Sequence, residues 1–190
     1  AAAHRDTENL KALYETLLGH RKLTVAAVHG AAVAGGCGLA TACDFVVAEP
    51  GARFAYTEVK IGFLAAMVLT FLTRRVPGHV ARRMLLDPEM IDGDRAVALG
   101  LADELGPEGA GLESAIALAK RVCSKASPSA LAATKALLNE SVGLGWREAL
   151  DLAAEANVRQ RREPDCARGV RSFLETKGTP DWLDDSGDSA

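Results

Sequence analysis

Residues 28–44, reading VHGAAVAGGCGLATACD, join an apolar run to a helix-like segment through a glycine-rich turn. The turn presents Gly35 and Gly36 at the start of that helix. Backbone N–H groups there have no preceding carbonyl to bond, and the helix dipole is positive, so the turn can hold developing negative charge on an oxygen, as thioester enolate chemistry requires. Close packing of a Gly/Ala-rich helix explains the same letters without chemistry. Downstream, Glu58 supplies a carboxylate that can carry a proton. Taken alone, a glutamate is a surface charge or a partner for Lys60 or Arg53, and its chemical reading rests on its position relative to Gly35. Two familiar glycine patterns fail. Gly30 and Gly35 have a phosphate-loop spacing, but Gly36 and Cys37 stand where Lys and Ser or Thr would contact phosphate and magnesium. Gly36 and Gly38 could begin a dinucleotide fingerprint, yet the third small residue is Thr41 and the turn does not directly follow its strand.

The elements that must position these groups follow from periodicity. Leu10, Leu13, Tyr14, Leu17 and Leu18 recur at helical spacing, predicting an amphipathic helix from Asp6 to Gly19 with Asp6 or Thr7 as cap. Leu23 to Val28 and Phe45 to Ala48 are short apolar runs suited to strands buried on both faces. With the glycine-rich helix between them they make a β-α-β crossover and a parallel sheet. Ala52 to Ile61 begins as a strand or extended loop, Gly62 to Val76 reads as an apolar helix, and Gly78 to Leu86 and Asp94 to Leu99 as shorter ones. Leu101 to Leu105 offers a last strand. Beyond Gly111 the pattern is helical throughout: Leu112 to Lys125, Pro128 to Glu140 capped by Ser127, Trp146 to Arg162, and Pro164 to Lys177. The acidic end from Pro180 to Ala190 reads as frayed.

Composition narrows the function classes. The 190 residues are 48% hydrophobic and 25% charged, the profile of a soluble globular chain with one substantial core. A net charge of −3 and 5% aromatic residues give neither the cationic surface nor the stacking platforms that nucleic acid needs. Cys37, Cys43, Cys123 and Cys166 form no C-x-x-C pair and read as reduced thiols of a cytoplasmic protein. His4, His20, His29 and His79 are scattered, so no metal site is expected. No apolar segment reaches the ~18–20 residues of a membrane span, and no secretory pattern opens the chain.

The segment AAVHGAAVAGGCGLATACDFVVAEPGARFAYTEVKIGF resembles the core of the crotonase superfamily, the enoyl-coenzyme A hydratase/isomerase proteins. RRMLLDPEMIDGDRAVALGLADEL and GVRSFLETKGTPDW are similar to later segments of that family, so the resemblance runs from Lys22 to Trp182. It implies an α/β fold, a crotonase-like spiral of β-β-α units over residues 1–110 with a C-terminal helical region over 111–180 for oligomerisation and site cover. Residues 181–190 are then a flexible tail, and the assembly a homotrimer or hexamer.

The resemblance also implies roles. Gly35 matches the residue whose N–H receives an acyl-coenzyme A thioester oxygen, with Gly36 its neighbour in the turn. Glu58 matches the family's second catalytic glutamate, a general acid/base that needs an apolar pocket beside C2 or C4 of an enoyl chain. The first catalytic glutamate is replaced by Gly38. A single base can both take and return one proton, so Gly38 favours enoyl isomerisation over hydration. Phe63, Leu64 and Met67 replace a Pro- and Gly-rich stretch and either line the acyl pocket or pack in the core. Lys177, beside Phe173, either reaches a coenzyme A phosphate or is a solvated helix-end lysine. Asp87 and Glu89 are acids that substitute for the missing carboxylate or are helix-flanking charges. The family's preceding strands, with the loop that carries the other N–H donor, have no counterpart in the sequence, which is expected to be part of a longer protein. No cofactor is implied beyond the coenzyme A of the substrate. The rivals are a non-catalytic acyl-coenzyme A binder or assembly subunit of the same fold, and a thioesterase or decarboxylase.

Overall fold

The computed structural model describes residues 2–184. These residues fall into two compact units, one formed by 2–18 with Thr24–Ala117 and the other by Gly19–Leu23 with 118–184.

The first unit opens with helix α1 (Ala2–Leu18). Strands β1 (Val25–Val28) and β2 (Ala31–Val33) lead into α2 (Gly35–Ala42). Strands β3 (Phe45–Ala48) and β4 (Arg53–Ala55) follow, then a single 3-10 turn (Glu58–Ile61) and α3 (Val68–Arg75). Helix α4 (Gly78–Leu86), β5 (Ile91–Asp92), α5 (Gly93–Ala98) and β6 (Glu104–Leu105) complete it before α6 (Gly111–Lys125).

The first four strands alternate between two sheets. One has the order β1-β3-β6, the other β2-β4-β5. β1 pairs parallel with β3 from Val25 against Phe45 to Val28 against Ala48, and β2 pairs parallel with β4 from Ala31 against Arg53 to Val33 against Ala55. The first two β-β-α units, β1-β2-α2 and β3-β4-α3, therefore each put one strand in each sheet and advance by one position, which is the spiral that the family resemblance implies. β4 and β5 pair antiparallel, and β6 joins β3 in parallel. Val46, Val47 and Ala48 are fully buried, as an unbroken apolar run in a parallel sheet requires. The core continues through Tyr14, Cys37, Phe54, Tyr56, Phe71, Leu72 and Leu101.

Polar anchors hold this frame. The Arg75 guanidinium donates to the Leu101 carbonyl at 2.7 Å and the Cys43 carbonyl at 3.0 Å, and pairs with the Asp103 carboxylate. Asp103 also accepts the Val46 N–H at 2.7 Å, so the end of α3 is tied to β3. Glu49 is buried, and accepts the N–H groups of Gly109 at 2.9 Å and Gly111 at 2.7 Å. Those two bonds hold its carboxyl below the ordinary value, while burial pulls the other way.

Three elements differ from expectation. α1 starts at Ala2, and the Thr7 hydroxyl bonds back to the Ala3 carbonyl at 2.9 Å instead of capping. The helix expected from Gly62 to Val76 begins only at Val68. Gly62 is left-handed at φ 77°, and the Phe63 N–H returns to the Glu58 carbonyl at 2.9 Å, which ends the 3-10 turn and leaves 63–67 as loop. β2 and β5 were not expected, being runs of two or three residues that gain their hydrogen bonds only from β4.

In the second unit, α7 (Pro128–Glu140), α8 (Trp146–Gln160) and α9 (Pro164–Thr176) follow the end of α6. Ser127 caps α7, accepting the Ala130 N–H at 3.1 Å. Asp165, in the first turn of α9, accepts the Ser127 hydroxyl at 2.7 Å and the Ser129 N–H at 3.1 Å. Trp182 packs its ring 3.4 Å from where a side chain on Gly169 would begin. The part of the acidic tail at 185–190 lies outside the described residues.

Candidate active site

β2 and β4 are neighbours running in the same direction, so whatever follows their C-terminal ends emerges on one side of the sheet. After β2 comes the start of α2, and after β4 comes Glu58. The turn after β2 is tied to the end of β4, three residues before Glu58: the Ala34 N–H donates to the Ala55 carbonyl at 2.8 Å. Ala34 itself adopts φ 51° and ψ −123°, a conformation that L residues rarely enter, and its carbonyl accepts the Gly38 N–H at 3.0 Å. The backbone is thus bent sharply so that the N–H groups of Gly35 and Gly36 open the helix.

Neither glycine is required by packing. A Cβ built on Gly35 or Gly36 would meet no atom within 4 Å, and neither has a positive φ. Space in front of them is open, as it must be if something from outside the chain is to reach the N–H groups. An apolar groove of about 590 Å³ reaches Gly36 from the side of α1 and β1, bordered by Leu13, Leu17, Ala32 and Leu39.

Glu58 has its Oε2 atom buried, and it is the one buried side-chain nitrogen or oxygen among the described residues with no hydrogen-bond partner. An unmet buried acceptor is costly in a folded chain and calls for a reason. Its charge is felt by two buried groups of the α2 neighbourhood. The Tyr14 phenol is pushed up by burial first and then by Glu58, and the Cys37 thiol, fully buried, is pushed up to about 12 by burial, with Glu58 adding to the shift. The floor beneath α2 is neutral: Tyr56 is likewise raised by burial, its hydroxyl lies 2.8 Å from that of Thr41, and Thr41 bonds the Cys37 carbonyl at 2.8 Å.

Gly38 differs from the other two glycines. A Cβ there would stand 2.2 Å from the Tyr14 hydroxyl oxygen and 2.9 Å from a Val68 methyl group. The volume of a side chain at position 38 is occupied by the phenol of Tyr14, whose ring also packs on Phe71 with centroids 5.1 Å apart. Sequence reasoning assigned Tyr14 only to the apolar face of α1, since nothing local connects it to Gly38.

The remaining candidates are placed as follows. Phe63 and Leu64 are exposed in the loop after the 3-10 turn, whereas Met67 is half-buried against the core at the start of α3. Asp87 and Glu89 both lie by Arg83, at 3.8 Å and 3.6 Å, as exposed helix-flanking charges. Lys177 ends α9 in the second unit at φ 59°, its ammonium 5.6 Å from the centre of the Phe173 ring. Among the described residues no cluster of His, Cys, Asp and Glu could hold a metal ion, and no helix is long and apolar enough to cross a membrane.

Comparison with known proteins gives a uniform result. The profile of the enoyl-CoA hydratase/isomerase family matches residues 2–185. A protein of Thermus thermophilus, provisionally named an enoyl-CoA hydratase, is 44% identical over 174 residues, spanning 92% of this chain and 68% of its own length. The 2,3-dehydroadipyl-CoA hydratase of Escherichia coli is 34% identical over 179 residues, spanning 90% of this chain and 66% of its own. The crystal structure of an enoyl-CoA hydratase from Mycobacterium smegmatis superposes with a TM-score of 0.86 at 27% identity, over 96% of this chain and 70% of that one. The chain thus spans about two thirds of the length of these relatives.

Proposed function

The chain belongs to the enoyl-CoA hydratase/isomerase family, and from that premise we propose that it acts on acyl-CoA thioesters through an enolate, with Glu58 as the proton carrier. The thioester oxygen accepts the Gly35 N–H at the start of α2, and Gly36 leaves room for the acyl-coenzyme A to approach. As charge moves onto that oxygen the hydrogen bond strengthens, and a donor of this kind is worth about 3–4 kcal/mol in the rate. Glu58 takes or gives the proton at the carbon next to the thioester. The observation that carries the reading is the buried, unpartnered Oε2 of Glu58, on the turn that is bonded through Ala55 to the turn preceding Gly35.

Hydration is the reaction named for the relatives, and we take it as this chain's reaction too. Isomerisation is the second reading, favoured by Gly38, because it needs one carboxylate only. Both draw on the substrate's own thioester and on Glu58, and neither calls for a further cofactor. Phe63, Met67 and Lys177 are proposed as substrate contacts, and a cytoplasmic homotrimer or hexamer is the proposed setting. Exposed apolar side chains in the second unit, including Leu138, Trp146 and Leu150, support assembly.

The test is deuterium exchange at C2 of butyryl-CoA in heavy water. The unsubstituted protein is expected to exchange, and Glu58→Gln to lose exchange by at least about 100-fold while binding the thioester with nearly unchanged affinity. Binding without exchange in the unsubstituted protein would instead make it an acyl-CoA binder. Release of free coenzyme A would indicate a thioesterase.

A further inference from the structure

A second polar group reaches the same neighbourhood by a route the sequence hides. The Tyr14 hydroxyl comes from α1, yet it lies 2.2 Å from where a side chain on Gly38 would begin and 3.5 Å from the Gly35 carbonyl. Tyr14 is 4% exposed, so its ring is fixed by packing on Phe71 and the hydroxyl cannot swing into water. A contact of 3.5 Å to the Gly35 carbonyl is at the limit of a hydrogen bond, which leaves the phenolic proton free for a better acceptor. We propose that Tyr14 positions the water consumed in hydration, its phenolic O–H donating from the volume vacated at Gly38 while Glu58 accepts the proton that the water gives up.

This inference deepens the proposed hydration and rests on it. In the step, the water oxygen bonds to C3 as the C2–C3 double bond opens and its electron pair moves through the thioester to the oxygen held by Gly35. The water proton passes to Glu58. The electron pair then returns to C2, which takes the proton from Glu58, and the carboxylate is restored. Tyr14 stays neutral throughout; burial and the nearby Glu58 charge both hold its proton on at neutral pH. One carboxylate and one neutral donor thereby hold the water, and no carboxylate at position 38 is needed.

Three measurements on the full-length protein test this: hydration of crotonyl-CoA, exchange at C2 of butyryl-CoA, and the pH profile of each. Tyr14→Phe is expected to lower the hydration kcat by about 10- to 100-fold while KM and C2 exchange stay within about threefold. Replacing Tyr14 by 3,5-difluorotyrosine keeps the shape but lowers the phenol's proton affinity. Hydration should then fail at lower pH, with the exchange profile unmoved. Unchanged hydration in Tyr14→Phe overturns the inference, as does a fluorotyrosine protein whose two profiles coincide with those of the native one. A protein that exchanges at C2 but never hydrates also overturns it and leaves the role of Glu58 standing. Absence of exchange in the unsubstituted protein defeats the underlying reading, and this inference falls with it.

Discussion

Three glycines of α2 look alike in the sequence and differ in what surrounds them. Gly35 and Gly36 face open space, and Gly38 faces the Tyr14 hydroxyl. Alanine at position 35 should therefore leave stability within about 1 kcal/mol of the native value, since a methyl group there meets nothing and alanine favours a helix. The same methyl stands in the path of a ligand approaching the N–H groups, and turnover of an enoyl-CoA should fall by about 100-fold. Gly38→Ala should do the opposite of a silent change in stability. Its methyl would collide with Tyr14 and Val68, at a cost of about 1–3 kcal/mol in urea unfolding. Adding Tyr14→Phe should recover part of that loss, a coupling of about 1 kcal/mol that a double-mutant cycle would measure.

At the scale of elements, the site depends on two turns held at the ends of β2 and β4 and on α3 packed against α2 through Val68. α3 is fixed at its far end by Arg75, whose guanidinium meets two carbonyls and the Asp103 carboxylate. The Arg75 side chain is 12% exposed and that of Asp103 35% exposed, so the pair is screened by water on one side only. Arg75→Met retains the aliphatic stem and removes the donors to the Leu101 and Cys43 carbonyls and to the Asp103 carboxylate. It should cost about 2–3 kcal/mol in chemical denaturation, a figure between those for exposed and for buried pairs. If the loss is under about 0.5 kcal/mol, water replaces the guanidinium and α3 is held by its apolar face alone.

At the scale of the whole molecule, the neutral layer under α2 links folding to pH. The Cys37 thiol titrates near 9.0 when free and about 12 in the fold. A group whose folded value is raised keeps its proton longer in the folded state, so its contribution is complete below pH 9.0 and is lost as pH climbs through about 12. At about 1.4 kcal/mol per unit, this one thiol accounts for up to roughly 4 kcal/mol across that window. Tyr14 and Tyr56, also raised, act in the same direction. Urea midpoints should therefore decline between pH 9 and 12, and Cys37→Ala, less stable at neutral pH, should decline less steeply. Equal slopes for the two proteins would show that the thiol is not the linked group.

Much of the frame was legible because its signals are local. β3 and α4 occupy the limits that apolar runs and stop residues predict, α7 begins where Ser127 and Pro128 say it should, and the helix start at Gly35 follows from glycine and alanine alone. Glu58 could be singled out from its order behind that turn. Other features had no local signal. The residues 62–67 carry helical apolarity but obey a left-handed Gly62 and a backbone bond to Glu58, and β2 and β5 are too short to register except through β4. The exchange of volume between Gly38 and Tyr14 is of the same kind. The sequence by itself determined the crossover from β1 through α2 to β3 and the order of the glycine turn and the carboxylate, because periodicity and capping act between near neighbours. Only the tertiary structure decided which glycine faces open space and which is filled by a phenol from α1, because that depends on packing between segments far apart in the chain.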